Sequence, residues 1–508
     1  MGLMAFFNRH LKTPTTILPS FLMAIGVGAS VHVMTLFFKY LKKSDNRKEA
    51  IARTLEHSGL AITITGLTTA AGLLSFSMAD VAPVVDLGLF AAIGALLSLV
   101  YTLVLLPALL AVTPLCNKTV ENRYPSKFGL DKVLEQFAKF SVSRSIPIIL
   151  GSGIILAIAF IGITMLELSH NPLHWMPKDT PMRQATEIID KHLSGLINVE
   201  ILIDTHRDGG FKSKEILQCL EKLRHNLDHL STRKVTVGNT TSLADMIKHI
   251  HWSLNNNIEE FYQIPDDPKM LAQELLLLET GSPENLSTLV DTSYRVGRVT
   301  LHAPWVDAVS YGRFIEKIEK RCREIFDDRA SVTITGNIPI LSRTLHATMQ
   351  SMINSYLLAG VAITLMMILL IGNLKIGCLC MLPNLLPILI VMGVIGWLKI
   401  PMDMYTMLVG SIALGLVVDD TVHFMYNFQR YYTRTHDVEQ AVHMTLKTAG
   451  RAMLITSIVL ATGAFVFMFS TLKSIQNFGF LTGITIILAL LADFLLAPAL
   501  MACIYSRK

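Results

Sequence analysis

Apolar residues in this chain come in long unbroken blocks rather than at the spacing of a soluble core. Nine windows, roughly 15–38, 59–79, 84–113, 146–168, 349–371, 376–398, 404–428, 452–472 and 477–503, are long and apolar enough to cross a bilayer as helices, which takes about 20 residues each. A half-length apolar stub precedes them at the N-terminus. Between the fourth and fifth windows the period changes. "INVEILID" (197–204) alternates like a strand, "SKEILQCLEKLRHNLDHL" (213–230) has helical spacing, and "KVTVG" (234–238) reads as a strand again. The same order returns in 294–303, 311–326 and 331–336. Two β-α-β runs, joined by mixed helical material over 241–290, predict a ferredoxin-like split βαβ pair. The expected fold class is therefore an α-helical polytopic membrane protein with one α+β ferredoxin-like extracytoplasmic domain.

Composition agrees with this pattern. The chain has 508 residues, 51% hydrophobic and only 16% charged, where soluble proteins carry about a quarter. The charges gather in 169–347, and the net charge of +5 gives no support for a nucleic-acid partner. The connections 39–57, 117–145 and 429–451 are rich in Lys and Arg and fall on one side, which marks that side as cytoplasmic. The insert then faces the opposite side, the periplasm if the membrane is a bacterial inner membrane. Arg9 and Lys12 lie on the outer side, a mild exception. Within the linker, Leu130, Val133, Leu134, Phe137 and Phe140 recur at helical spacing. Either an amphipathic helix on the inner membrane face or a packed connector gives that pattern. The spacing of the cysteines matches no metal site. Cys219 and Cys322, both in the insert, would pair only in an oxidising compartment.

The two ends of the chain repeat each other. "VHVMTLFFKY" (31–40) matches "VHFMYNFQRY" (422–431), with His423 lying 391 positions after His32. The same offset carries Gly59 to Gly450, Thr65 to Thr456, Gly72 to Gly463, Gly88 to Gly479 and Pro107 to Pro498. No gap is needed from Gly2 to Ala111, and Tyr40 matches Tyr431 in the polar loop. Both copies run in the same direction, which makes this a parallel repeat of the kind found in transporters. Only the second copy is preceded by a span, the insert and another span.

The stretch "GLVVDDTVHFMY" (415–426) sets two adjacent aspartates, Asp419 and Asp420, inside an apolar window. Each charged Asp at a helix centre costs about 2.5 to 3.5 kcal/mol. Adjacent carboxylates in a low dielectric repel and lack hydration, so the pair is expected to hold a proton and to titrate as one unit. His423 follows at helical spacing from both. Proton relay through Asp419, Asp420 and His423 is one reading, and a bonded packing device is the other. Asp493 in the last span and Thr456 are candidate support, as is His32, which occupies the place of His423 in a half where Gly28-Ala29 replace the aspartates.

Residues 415–420, the tandem repeat, "WMPKDTPMR" (175–183) at the entry to the insert and the Pro-Ala-Leu late in each half together resemble the resistance-nodulation-division superfamily. The likeness is to its MMPL-type and hopanoid-exporter-like exporters, relatives of Patched and Dispatched. That family has twelve spans in two parallel halves, each with an extracytoplasmic porter domain after its first span. By that plan residues 1–116 hold the end of span three and spans four to six. The cytoplasmic linker is 117–145, span seven 146–168, the periplasmic porter-like domain 169–347, and spans eight to twelve 348–508. An N-terminally truncated member is implied, lacking span one, the first porter domain and span two.

The resemblance implies a proton-motive-force-driven exporter of a hydrophobic or lipid-like substrate across the inner membrane, with protons and membrane lipids as partners and no cofactor. The alternative is a non-transporting, sensor-like or degenerate fragment that needs a partner chain or a homo-oligomer. A membrane enzyme finds no nucleophile, metal or paired-acid constellation in the insert.

Overall fold

The computed structural model describes residues 1–44, 46–113, 130–192, 195–228, 230–232 and 235–505. Cys116, the linker residues 117–129 and Lys234 of the expected strand at 234–238 fall outside them. Two compact units form, one from 1–168 with 347–508 and the other from 169–346.

The first unit contains the membrane helices. Its elements are α1 (Leu18–Ser44), α2 (Arg47–Leu74), α3 (Ala82–Val100), α4 (Leu130–Ser143), α5 (Ser145–Ile163), α6 (Asn337–Ile371), α7 (Met381–Trp397), α8 (Met404–Thr435), α9 (Val438–Thr448), α10 (Gly450–Phe465) and α11 (Lys473–Tyr505). The N-terminal stub is a short helix, Gly2–Phe6. The first ten residues of α6 belong to the insert unit. Nine helices among the described residues are long and apolar enough to span a membrane. In hydrocarbon every backbone polar group must be met within the segment, which leaves the helix as the available form for such windows. Helix α2 starts at Arg47, well before its apolar window, because Asn46 caps it and accepts from the Lys48 N–H at 3.1 Å.

The repeat is realised as a pseudo-two-fold arrangement. Helix α8 of the second copy lies along α2 of the first, and α1 of the first lies along α10 of the second. Gly72 faces Gly415 so closely that a Cβ on Gly72 would stand 3.5 Å from the Gly415 Cα, and Thr69 donates to the Gly415 carbonyl at 3.0 Å. The contact recurs between Gly463 and the Ala24 methyl at 4.0 Å. Under the repeat offset these are the same positions with the halves exchanged, as a two-fold relation requires.

Small residues also seam α5 to α7. A Cβ on Gly396 would come within 1.8 Å of the Gly162 carbonyl oxygen, and Trp397 Nε1 donates to the Ile158 carbonyl at 3.2 Å. Without a hydrophobic drive between helices in lipid, such close backbone approach is what associates them. In the linker, α4 buries Leu134 and Ala138 and sets Phe137 against Phe494 with ring centroids 5.8 Å apart. Arg451 grips Asp131 through two hydrogen bonds of 2.8 and 2.5 Å. Val133 and Phe140 remain exposed.

The insert unit is built on one small antiparallel sheet, β1 (Ile197–Asp204), β2 (Asn239–Thr241), β3 (Val296–Ala303) and β4 (Ser331–Thr335), in the order β2-β3-β1-β4. β1 pairs with both β3 and β4, and Val199, Ile201 and Ile203 alternate inward along it. The helices Lys214–Asp228 and Tyr311–Phe326 cover this face through Leu220, Leu223, Phe314 and Ile318. The expected strand at 234–238 is corrected. Among the described residues of that segment only a single bridge, Ser231 to Thr236, forms, and the strand proper is the short β2 just after it. Cys219 and Cys322 do not pair. Both are buried free thiols, and burial pushes Cys322 up to about 12.

Two outcomes follow from this packing. Gly396→Leu should lower membrane accumulation and the unfolding temperature in detergent, since overpacking costs about 1–3 kcal/mol or more. Gly151→Leu on the same seam's helix α5, where a Cβ meets open space, should be tolerated. Cys322 should resist maleimide at pH 8 until the chain is denatured, as read by intact-mass spectrometry.

Candidate functional site

Helix α8 explains how its apolar sequence tolerates two acids. From Tyr405 through Val418 every residue is buried, so the helix is enclosed by protein rather than by lipid. Its start is pinned by Asp403, which accepts from the N–H groups of Tyr405 at 3.0 Å and Thr406 at 2.9 Å while Ser474 donates to its other oxygen.

Successive helical residues point about 100° apart, and the two aspartates accordingly serve different neighbours. Asp420 turns to α10, accepting from Ser457 Oγ at 2.7 Å, with Thr456 Oγ1 at 3.4 Å. Asp419 turns to the first repeat half. It lines a cavity of about 30 Å³ with Gly28, Ala29 and Thr65, and a Cβ on Gly28 would meet open space. The residue that replaces an aspartate in the first copy is thus the one that leaves room beside the aspartate of the second.

Asp493, fully buried on α11, takes part in a three-residue cluster. Thr421 Oγ1 lies 2.6 Å from Asp493 Oδ1 and 2.6 Å from Asn384 Oδ1, while the Asn384 amide donates to the Cys380 carbonyl at 3.2 Å. A hydroxyl has one proton. With the Asn384 amide turned to Cys380, that proton serves Asn384, and the contact to Asp493 is a hydrogen bond only if Asp493 itself carries a proton. Among the described residues no Lys or Arg pairs with Asp419, Asp420 or Asp493. The one ionic neighbour is His423, whose Nε2 is 3.9 Å from Asp419 Oδ1, too long for a direct hydrogen bond.

His423 stacks face to face on His32, with centroids 3.8 Å apart and planes 5° from parallel. Two imidazolium charges at that spacing would repel by about 4 kcal/mol at an effective dielectric of 20, so the pair favours at most one added proton, with one ring charged and the other neutral. Sequence spacing left His423 free to serve either aspartate; the fold gives it to Asp419. The candidates therefore divide into Asp420, Asp493 and Thr456 on one side of α8 and Asp419, His423 and His32 on the other. Sequence reasoning missed Asn384, Thr421 and Ser457. Each is a polar residue in an apolar window, and Thr421 and Ser457 directly follow residues already singled out.

The insert unit has a cleft of its own, about 440 Å³, walled by Leu196, Trp305, Val306 and Leu341 with Asn198 and Glu200 at its polar edge. Its size falls in the range of small-molecule sites.

Thr421→Val should destabilise the detergent-solubilised protein by about 1–3 kcal/mol, because it leaves the Asn384 amide oxygen without a donor and the Asp493 carboxyl proton without an acceptor. Asp493→Asn, whose amide can donate to Thr421 in place of the carboxyl proton, should stay close to wild type in the same unfolding titration.

Comparison with known proteins agrees with this architecture. Residues 307–508 match the MMPL family model and residues 1–112 the Patched SSD model. The membrane protein MJ1562 of Methanocaldococcus jannaschii is 22% identical over 381 residues, which cover 73% of this chain and 94% of that protein. The membrane protein YdfJ of Bacillus subtilis is 22% identical over 217 residues, 41% of this chain and 29% of its own length. The chain, a multi-pass membrane protein, is thus similar to the MMPL family over its last 202 residues and to the Patched SSD over its first 112.

Proposed function

We propose that the chain is a proton-driven secondary transporter that exports a hydrophobic or lipid-like molecule across a bacterial inner membrane, with the insert on the periplasmic side. The observation that carries this is the set of three aspartates inside the helix bundle, Asp419 and Asp420 half-buried and Asp493 fully buried, with Ser457 beside Asp420, Thr421 beside Asp493 and, among the described residues, no Lys or Arg paired with any of them. A buried acid without a counter-charge holds a proton in preference to a charge. Losing that proton re-sorts the hydroxyl contacts that tie α8 to α7, α10 and α11. Intramembrane acids of this kind mark ion pathways, and one proton crossing 100 mV supplies about 2.3 kcal/mol.

The apolar walls of the insert cleft support a hydrophobic substrate. The sheet order of the insert, with every neighbouring pair antiparallel, is that of a split βαβ unit, in keeping with a porter-like domain. In this reading Asp419, Asp420 and His423 are the relay, with Asp493, Thr456 and His32 in support.

The test is energy-dependent extrusion of the lipophilic dye Nile red from cells expressing the chain. Asp420→Asn and Asp419→Asn keep the shape of the side chain and should each reduce extrusion at least tenfold with membrane levels unchanged. Extrusion equal to wild type in both variants would sink the proposal and leave the non-transporting alternative in its place.

A further inference from the structure

Behind the stacked histidines, toward the Lys- and Arg-rich loops, the membrane unit holds a chamber that has the relay residue His423 in its wall. It is lined by His32, His57, Ser58, His423 and Asn427, with Thr448 and Ala452 closing one wall. Its volume of about 20 Å³ is enough for one water molecule. Three of the lining side chains keep a buried polar atom with no protein partner, His32 Nε2, His57 Nε2 and Asn427 Oδ1, and all three residues are more than nine-tenths buried. A buried water typically makes about three hydrogen bonds to such atoms. The chamber offers that number.

The protonation of His57 is set by its other nitrogen. Arg430 Nη1 lies 2.5 Å from His57 Nδ1, and a guanidinium only donates. His57 Nδ1 is therefore the acceptor, and the ring's own proton sits on Nε2 as a donor. A water taking that bond has its two protons left for Asn427 Oδ1 and His32 Nε2. Charged and titratable groups reach this region from each long helix around it. Lys39 and Tyr40 come from α1, Arg53 and Glu56 from α2, and Asp419, Arg430 and Arg434 from α8. The stretch 448–452 offers the chamber only Thr448, Ala449 and Ala452.

We propose that this chamber is a water-binding site that forms the exit leg of the proton path, with the His32–His423 stack as a gate that passes one proton at a time. The inference rests on the transport reading above. In the forward step the Asp419 side chain closes the 3.9 Å gap to His423 Nε2 and gives it the carboxyl proton, leaving a carboxylate and one imidazolium stacked on a neutral His32. The imidazolium then gives a proton to the chamber water, through the lone pair left beside its bond from His57, and returns to neutral, and the resulting hydronium releases one proton to bulk water on the loop side. No other bond is made or broken. A second proton cannot enter the stack until the first has left, because the two rings face each other at 3.8 Å.

Two measurements on the full chain decide it. In lipid bilayers, solid-state NMR of 15N-histidine-labelled protein should show His57 as the Nε2–H tautomer and water cross-peaks to His32 and His57. On acidification the stacked pair should take up one proton, not two. A dry chamber, or both rings cationic together, overturns the proposal. In pyranine-loaded proteoliposomes under an imposed pH gradient, Asn427→Leu and His32→Phe should each slow proton uptake at least tenfold, as Asp420→Asn does. Slowing by Asp420→Asn alone overturns the exit leg and leaves the transport reading standing. Uptake indifferent to Asp420, or absent from the wild type, overturns the transport reading and the exit leg with it, while the NMR result still decides whether the chamber binds water.

Discussion

The need to surround a carboxyl group with protein, when the alternative is hydrocarbon, shapes this fold more than any other demand. Helix α8 carries the acids and is buried without a break from Tyr405 to Val418, the run that leads up to them. Its repeat partner α1 carries Gly28 and Ala29 at the same places and is not. Met23, Val27 and Met34 of α1 are exposed, while their equivalents Leu414, Val418 and Met425 are buried. Two helices of nearly one sequence pattern thus occupy opposite environments. What separates them is not hydrophobicity, which they share, but the polar contacts that α7, α10 and α11 offer α8, Asn384 and Asp493 meeting Thr421 and Ser457 meeting Asp420.

That difference also marks the limit of what could be read from the chain. The spans were legible because 20 consecutive apolar residues have one common outcome. The repeat was legible because its register holds through the polar loop, and the stacking of His32 on His423 is its geometric counterpart. The direction in which each aspartate points was not legible. Asp419 and Asp420 look like a single unit in the sequence, yet the rotation between neighbours on a helix sends one to Thr65 and Gly28 and the other to Ser457. The partners of Asp493 were equally hidden, since Asn384 and Thr421 lie far from it in sequence and only the packing of three helices brings them together.

In the insert, patterning placed β1, β3 and both covering helices because their alternation is regular over eight or more residues. It misplaced the strand near 234–238, where alternation over five residues was the whole signal. Such a short run does not distinguish a strand from an extended approach to one, and β2 pairs with β3 only from Asn239. The spacing of Cys219 and Cys322 said nothing about pairing. Both thiols are spent on packing the helices that cover the sheet.

A residue on a two-fold axis has its own copy for a neighbour. His32 and His423 meet in this way, and Gly28 lines the same cavity as Asp419. In an assembly of two identical chains, any acid introduced at such a place would arrive twice and confront itself. Joining the two halves into one polypeptide lifts that restriction. One copy is then free to hold the charge and the other to hold the space it needs, so the centre of symmetry becomes the place where the two halves have most reason to differ.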